Sequence, residues 1–293
     1  MDQGFDIRII GERINPGFRS TKALFDNSDL PGIQALAVKQ AEAGATYLNV
    51  NIGARALTDS AFMVECIKAI QDVVDLPLSF DFPSLKVQSV CFDAYDPGKA
   101  QGRLPIVNSI TEDRWDLMDL ASDFRFKVIL MASERVEDGV AKGNKTADEI
   151  YATSRRCALR LCEDYGMNMD DIFLDMSISA IIADTEALNR NTLDAIRMVG
   201  ADPELEGIHM MGGLSNIGQQ LPPKAADGSD LKHSLECAFL TIAVPCGFDT
   251  VLGTPWRHYH PLPEDNYVMQ AYRTFLDTTG RDSLKAVRKL YRA

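Results

Sequence analysis

Seven polar residues stand at or just beyond the ends of short apolar runs: Asn49 and Asn51 in "LNVNIG", Asp81 closing "PLSFD", Asn108 in "PIVNS", Asp175 closing "IFLD", and Ser215 with Asn216 after "GIHMMGG". Two carboxylates and several amides, with no Lys, Cys or His among them, suit a neutral polar heterocycle better than a phosphate or a metal. An ionised carboxylate accepts two parallel N–H bonds, as offered by an amino group beside a ring N–H, and an Asn amide both donates and accepts. Guanine-like and pterin-like edges present that pattern. Asp or Asn after a strand also serves as a helix cap or a turn residue. Asp81 is not needed for that, because Ser84 is better placed to cap the next helix, and Asp175 lies well before the next helical pattern.

Such residues act together only if the fold brings the strand ends to one place. The chain alternates short apolar runs with longer segments of helical period, the rhythm of repeated βα units. The first strand-like run is residues 7–10, followed by the polar loop "GERINPGFRS" and a helix over 31–43. "GATYLNVNIG" supplies the second strand and 58–74 its helix; the third and fourth strands lead into helices over 84–92 and 112–121. "FKVILM" is the fifth strand, and Thr146 with Glu149 forms a capping-box pattern that opens a helix ending at Gly166. "IFLD", "GIHMMGG" and "DTVLG" are strands six to eight, with helices over 186–199, 231–244 and 264–276. Eight strands, each followed by a helix and with no linker-like break, predict a single (β/α)8 TIM barrel over residues 1–293. A doubly wound open sheet is the rival, although it usually has fewer strands and a Gly-rich first turn. In a barrel, the C-terminal strand ends build the active site.

Composition narrows the partners. The chain has 42 acidic and 30 basic residues, a formal charge of −12, and no basic block to follow a phosphate backbone, so nucleic acid is not expected. The apolar runs are strand-sized, far short of the roughly 20 residues that span a bilayer, and the N-terminus lacks a secretory pattern. A cytoplasmic protein with no membrane segment is expected. Cys66, Cys91, Cys157, Cys162, Cys237 and Cys246 form no CxxC and no Cys/His ligand spacing. They are expected to be structural thiols, with no metal site. The His258-Tyr259-His260 pair after the eighth strand offers two metal ligands at most, and a solvated loop is the simpler expectation. Lys127 opens the fifth strand and should point away from the mouth, which leaves no Schiff-base lysine there. Arg55, on the polar loop after the second strand, is a possible substrate-carboxylate ligand or an ordinary surface charge.

With these residues in hand, the chain resembles the pterin-binding barrel superfamily, and within it the tetrahydrofolate methyltransferases that work with corrinoid proteins. The resemblance rests on "IIGERIN" with Glu12, "LNVNIG", Asp81, "VNS", "FLDMSI" and "GLSNIGQ", in order along nearly the whole chain. It implies that Asp81, Asn108 and Asp175 bind the pterin ring, with Asn49 and Asn51 alongside, and that Asn216 reaches the N5 atom that carries or receives the methyl group. Ser215 would help hold that turn, and Gly212 with Gly213 would let the backbone pass close to the flat ring. Relatives commonly have Asp where this chain has Asn49, and the segment 218–232 is longer and richer in Pro and Lys than in short relatives.

The activity so implied is methyl transfer between N5 of tetrahydrofolate or 5-methyltetrahydrofolate and the cobalt of a corrinoid carried by a partner protein, in a chain that pairs as a homodimer. The chain lacks the Asp-x-His-x-x-Gly corrinoid signature and the zinc-binding Cys motifs of homocysteine methyltransferases, so it should hold no cobalamin tightly by itself. Two alternatives stay open. One is a dihydropteroate-synthase-like condensation, although that group's lysine and arginine after strand seven and its Arg-x-His near strand eight are replaced here by "GLSN" and "VLGTP". The other is a folate-binding subunit without catalysis.

Overall fold

The computed structural model describes residues 4–292. Its strands are β1 (Arg8–Ile14), β2 (Tyr47–Val50), β3 (Leu78–Asp81), β4 (Ile106–Ile110), β5 (Lys127–Met131), β6 (Glu134–Glu137), β7 (Val140–Gly143), β8 (Ile172–Asp175), β9 (His209–Met211) and β10 (Thr250–Gly253), and all but the exposed β6 and β7 are the largely buried apolar runs that a doubly covered parallel sheet requires. Eight of them form one parallel sheet in the order β10-β1-β2-β3-β4-β5-β8-β9. The sheet closes on itself where Asp249 N–H donates to the Met210 carbonyl at 3.2 Å and Leu252 N–H to the Gly212 carbonyl at 3.0 Å. The fold is a single (β/α)8 TIM barrel.

The helices are α1 (Arg19–Asp26), α2 (Leu30–Glu42), α3 (Ser60–Gln71), α4 (Leu85–Ala94), α5 (Ala147–Tyr165), α6 (Leu188–Gly200), α7 (Leu231–Ala243), α8 (Tyr267–Leu276) and α9 (Gly280–Lys289). Asp29, Asp59, Asp230 and Asn266 cap their helices by accepting a first-turn N–H. Thr146 and Glu149 form the expected capping box, and Gly166 ends α5 in the left-handed region at φ 65°. Among the described residues, no helix is long and apolar enough to cross a membrane.

Alternation along the strands sorts the barrel interior into layers. At the N-terminal end, Lys127 pairs with Asp170 at 2.7 Å, while His209 lies between Asp170 and Asp249 at 3.1 and 2.8 Å. Lys127 is therefore spent at the end opposite the mouth. Above this lies an apolar plug of Ile10, Ile106, Ile129, Phe173 and Met211, flanked by Tyr47 and Leu252. Each fully buried large side chain contributes about 1.5–3 kcal/mol, so the plug is a stable floor. Everything polar on the next turn of the strands rests on it.

The structure departs from the sequence expectations at four places. Residues 112–121 do not form an α-helix; Trp115–Ser122 is a 3-10 segment. Glu112 is drawn away to the Val136 N–H at 2.6 Å and to Arg156 at 2.9 Å, and the Thr111 hydroxyl ties down the Arg114 N–H. The polar stretch before α5 holds the β6–β7 hairpin, turning on Asp138 and Gly139 at φ 53° and 76°, the positive-φ pair that two-residue hairpins favour. Helices α1 and α9 also stand where a loop and nothing, respectively, were expected.

Candidate functional site

Asp81, which closes β3, and Asn108 of β4 are register partners, and Asp175 closes β8 opposite Met131 and Met211. The strand-end amides form one hydrogen-bonded network. Asn49 donates to Asp81 Oδ2 at 3.2 Å, and its Oδ1 accepts from Ser79 at 3.1 Å and from Asn108 Nδ2 at 3.0 Å. Asn51 also donates to Asp81 Oδ2, at 3.0 Å, while its own Oδ1 accepts the Gly53 N–H at 2.7 Å and so turns the chain into the next segment. Asn49 and Ser79 are fully buried, and this makes each of these bonds costly to break. Below, Gln88 of α4 donates to the carbonyls of Phe80 and Phe82 at 2.8 and 2.9 Å and fixes the end of β3.

After these internal bonds, several polar atoms remain. Among the described residues, Asp81 Oδ1, Asn108 Oδ1 and Asp175 Oδ2 accept no hydrogen bond. Acceptors left over on three strand ends match a ligand edge rich in N–H donors. Asp175 keeps one partner, the Ser177 N–H at 2.7 Å. Its carboxyl is only partly covered, yet loss of hydration pushes it up to about 6, with the Ser177 bond pulling the other way.

Sequence reasoning passed over Ser177. It sits at φ 57°, a left-handed conformation that costs a non-glycine residue about 1–3 kcal/mol, and its buried hydroxyl has no partner. The irregular "DMSISA" after the strand was the available signal.

Glu12 closes the other side of the mouth. Thr254 donates to its Oε1 at 2.8 Å and Ser215 to its Oε2 at 3.1 Å. Burial raises this carboxyl, and the two hydroxyls oppose the shift. Ser215 is thereby tied to β1 and β10, and with it the 3-10 turn Leu214–Asn216. Thr254 is the second residue that the sequence did not single out. Asn216 is partly exposed, and its Oδ1 accepts from Gln219 Nε2 at 2.7 Å, which leaves its Nδ2 as the free end.

The two glycines before this turn have different reasons. A Cβ on Gly212 would meet Ile178 Cδ1 at 2.7 Å, so Gly212 serves close packing within the protein. A Cβ on Gly213 would meet Asn216 Nδ2 at 3.1 Å, so Gly213 gives that amide its room. Arg55 joins neither group. Its guanidinium bonds Asp59 at 2.8 and 2.9 Å and the Phe25 carbonyl at 2.8 Å, and stacks 3.5 Å over Phe62. Those bonds commit it to joining α1 and α3. Arg257, after β10, donates to both oxygens of buried Glu236 at 2.8 and 2.7 Å.

The chain matches the pterin binding enzyme family over residues 14–252. A methylcorrinoid:tetrahydrofolate methyltransferase of Eubacterium limosum is 23% identical over 256 residues, 84% of each chain. A dihydropteroate synthase from Xanthomonas albilineans in complex with 7,8-dihydropteroate is similar at a TM-score of 0.58 and 14% identity, over 93% of this chain and 94% of that one. The dihydropteroate synthase from Thermus thermophilus gives 0.54 and 16%, over 97% and 94%. At such identities the solved structures share the fold alone.

Proposed function

The chain belongs to the pterin binding enzymes, and from that premise we propose that it moves a methyl group between N5 of tetrahydrofolate and the cobalt of a corrinoid carried by a partner protein. The observation that carries this reading is the turn after β9. Between Met211 and Gln220 it presents Ser215 and Asn216 and contains no lysine or arginine, so a neutral amide faces the reacting nitrogen instead of the cations that a pyrophosphate leaving group would need. The name of the Eubacterium limosum relative supports the same choice. The whole chain, residues 1–293, would act as one barrel domain and as a homodimer.

The donor set fits a pterin. Asp175 Oδ2 and Asp81 Oδ1 are free acceptors for the amino group and ring N–H, and Asn108 Oδ1 is a third, while the Ser177 N–H holds the other oxygen of Asp175. In its ionised form Asp175 would orient the ring by paired N–H bonds. The corrinoid supplies a cobalt centre that gives up or takes the methyl group. On this chain's side, forming the N5–methyl bond releases the N5 proton, and breaking it leaves an electron pair on N5 that calls for a donor. Asn216 Nδ2 would be that donor, worth about 1–3 kcal/mol for a buried polar contact. The proton itself would travel through water at the mouth. Glu12 acts as a positioning residue, holding Ser215 and hence the turn.

The test offers the purified chain two substrate pairs: methylcobalamin with tetrahydrofolate, and a pterin pyrophosphate with 4-aminobenzoate. Methyltetrahydrofolate from the first pair alone is the expected result. Dihydropteroate from the second would replace the proposal with the condensation reaction. Folate binding without turnover of either pair, with corrinoid protein supplied, would replace it with a non-catalytic subunit.

A further inference from the structure

We propose that His233, Cys237 and His260 form a binding site for one zinc-type divalent cation, with a fourth coordination position open. His233 and Cys237 are one helical turn apart on α7, and His260 comes from the loop after β10; one ligand atom from each lies within 4.8 Å of the others. Cys237 Sγ is 3.7 Å from His233 Nε2. A tetrahedral ion with bonds of about 2.3 Å to sulfur and about 2.1 Å to nitrogen would hold two such atoms about 3.6 Å apart. The helix therefore supplies one edge of the tetrahedron almost ready made.

The surroundings are those of ligating imidazoles. A metal-bound histidine usually donates its other ring N–H to a carbonyl or carboxylate, which fixes the ring and the tautomer. His260 Nδ1 is 3.1 Å from the His258 carbonyl, so that nitrogen carries the proton and Nε2 is left with a lone pair. His233 Nδ1 lies 3.8 Å from Glu236 Oε2, and Nε2 is the ring nitrogen nearer the thiol, at 3.7 Å against 4.0 Å for Nδ1. Glu236 is itself fixed by Arg257. His260 thus has a hydrogen-bonded outer partner, and His233 has a carboxylate within ion-pair distance.

One thiolate and two imidazoles form a borderline-soft set that selects zinc over magnesium or calcium. His258 is not a ligand here; it contributes its backbone carbonyl, and the His-x-His spacing has a different meaning from a chelating pair. An ion would pin the loop after β10 to α7. That loop already donates Leu262 N–H to the Thr241 hydroxyl at 3.0 Å and carries Thr254, the partner of Glu12. Binding at the rim would stiffen one wall of the mouth while staying outside the pterin network.

The test uses the full chain without a histidine tag, loaded with Zn2+ or Co2+ after chelator treatment. One equivalent of Co2+ should produce tetrahedral ligand-field bands and a sulfur-to-cobalt charge-transfer band. Cys237→Ala should abolish the charge-transfer band, and His260→Ala should weaken Co2+ binding at least about tenfold. X-ray absorption on the zinc-loaded wild type, which needs no variant, should show one sulfur at about 2.3 Å with imidazole nitrogens. Only nitrogen and oxygen neighbours in that spectrum, or a charge-transfer band that survives in a folded Cys237→Ala chain, would overturn the site. Neither readout depends on methyl transfer, so a failure here leaves the proposed function standing, and the reverse also holds.

Discussion

Asn49 Nδ2 and Asp81 Oδ2 are joined at 3.2 Å, and this bond sets the direction of the strand-end network. With its amino group committed to Asp81, Asn49 must present Oδ1 to Ser79 and Asn108, and Asn108 must in turn leave its own Oδ1 free. One amide thus orients a second on the next strand but one. It does so through Asp81 Oδ2 alone, so Asp81 Oδ1 stays available to a ligand.

Asn49→Asp tests this relationship. The change removes the donor to Asp81 and sets a second carboxylate against the first, where like charges so close resist joint ionisation. A shared proton relieves the repulsion, so the penalty belongs to high pH. Urea denaturation should show near-wild-type stability at about pH 5 and a loss of about 1–3 kcal/mol at about pH 8. An equal loss at both values would mean that the amide's geometry, and not the charge, is what matters.

Asp175→Asn separates stability from binding. The carboxyl is raised to about 6 by burial, above its unfolded value of 3.8, so the folded protein favours the protonated form. The associated stability is fully present below the unfolded value and is lost as pH rises through about 6. Removing the charge should therefore stabilise the free protein at neutral pH by about 1–3 kcal/mol, a gain that fades towards acid. The same variant should bind tetrahydrofolate at least about tenfold more weakly. In the wild type, affinity should fall as pH drops through about 6, since the ring N–H groups need the ionised form. Thermal melts and calorimetric titrations across that range measure both.

The strands and their order were legible because each barrel strand is a short apolar run bounded by turn residues, and the mouth followed from strand polarity alone. Asp81, Asn108 and Asp175 were visible as polar residues closing such runs. What stayed hidden depends on tertiary partners. Glu112 has the pattern of a helix start until Arg156, distant in sequence, claims it. The β6–β7 hairpin is too exposed to show apolar alternation, and Asp138-Gly139 was its one signal. Thr254 has no pattern, since it matters through Glu12, and the irregular "DMSISA" around Ser177 gives no hint of its left-handed backbone angle. Arg55 looked free only because Asp59 and Phe62 are ordinary helix residues in the sequence.

Gly213→Ala and Gly212→Ala should fail differently. Gly213 has φ −75°, so alanine brings no backbone strain, and the new Cβ crowds only Asn216 Nδ2 at 3.1 Å. Melting should stay near wild type while turnover drops, on the order of 3- to 30-fold, as expected when a reacting contact is displaced slightly. At Gly212 the Cβ would lie 2.7 Å from Ile178 in a closed core, and overpacking there should cost about 1–3 kcal/mol. The reverse pattern would assign the ring approach to Gly212 after all.

Asn216 is where direction of hydrogen bonding becomes testable. Gln219 Nε2 occupies its Oδ1 at 2.7 Å, so under the proposed function the end left for substrate is the donor Nδ2. A donor is what N5 needs as an electron pair develops on it, and by microscopic reversibility the same contact serves both directions of transfer. Asn216→Ala should lower kcat about 10- to 100-fold, the equivalent of about 1–3 kcal/mol, with tetrahydrofolate affinity changed much less. Asn216→Asp, which keeps size but loses the donor, should be no better than alanine. Gln219→Ala should fall between wild type and these variants, because it frees the amide to rotate without removing it. Single-turnover methyl transfer with matched binding measurements separates the cases. Full activity in Asn216→Asp would show that N5 is met by an acceptor, and the assignment of Nδ2 would fall.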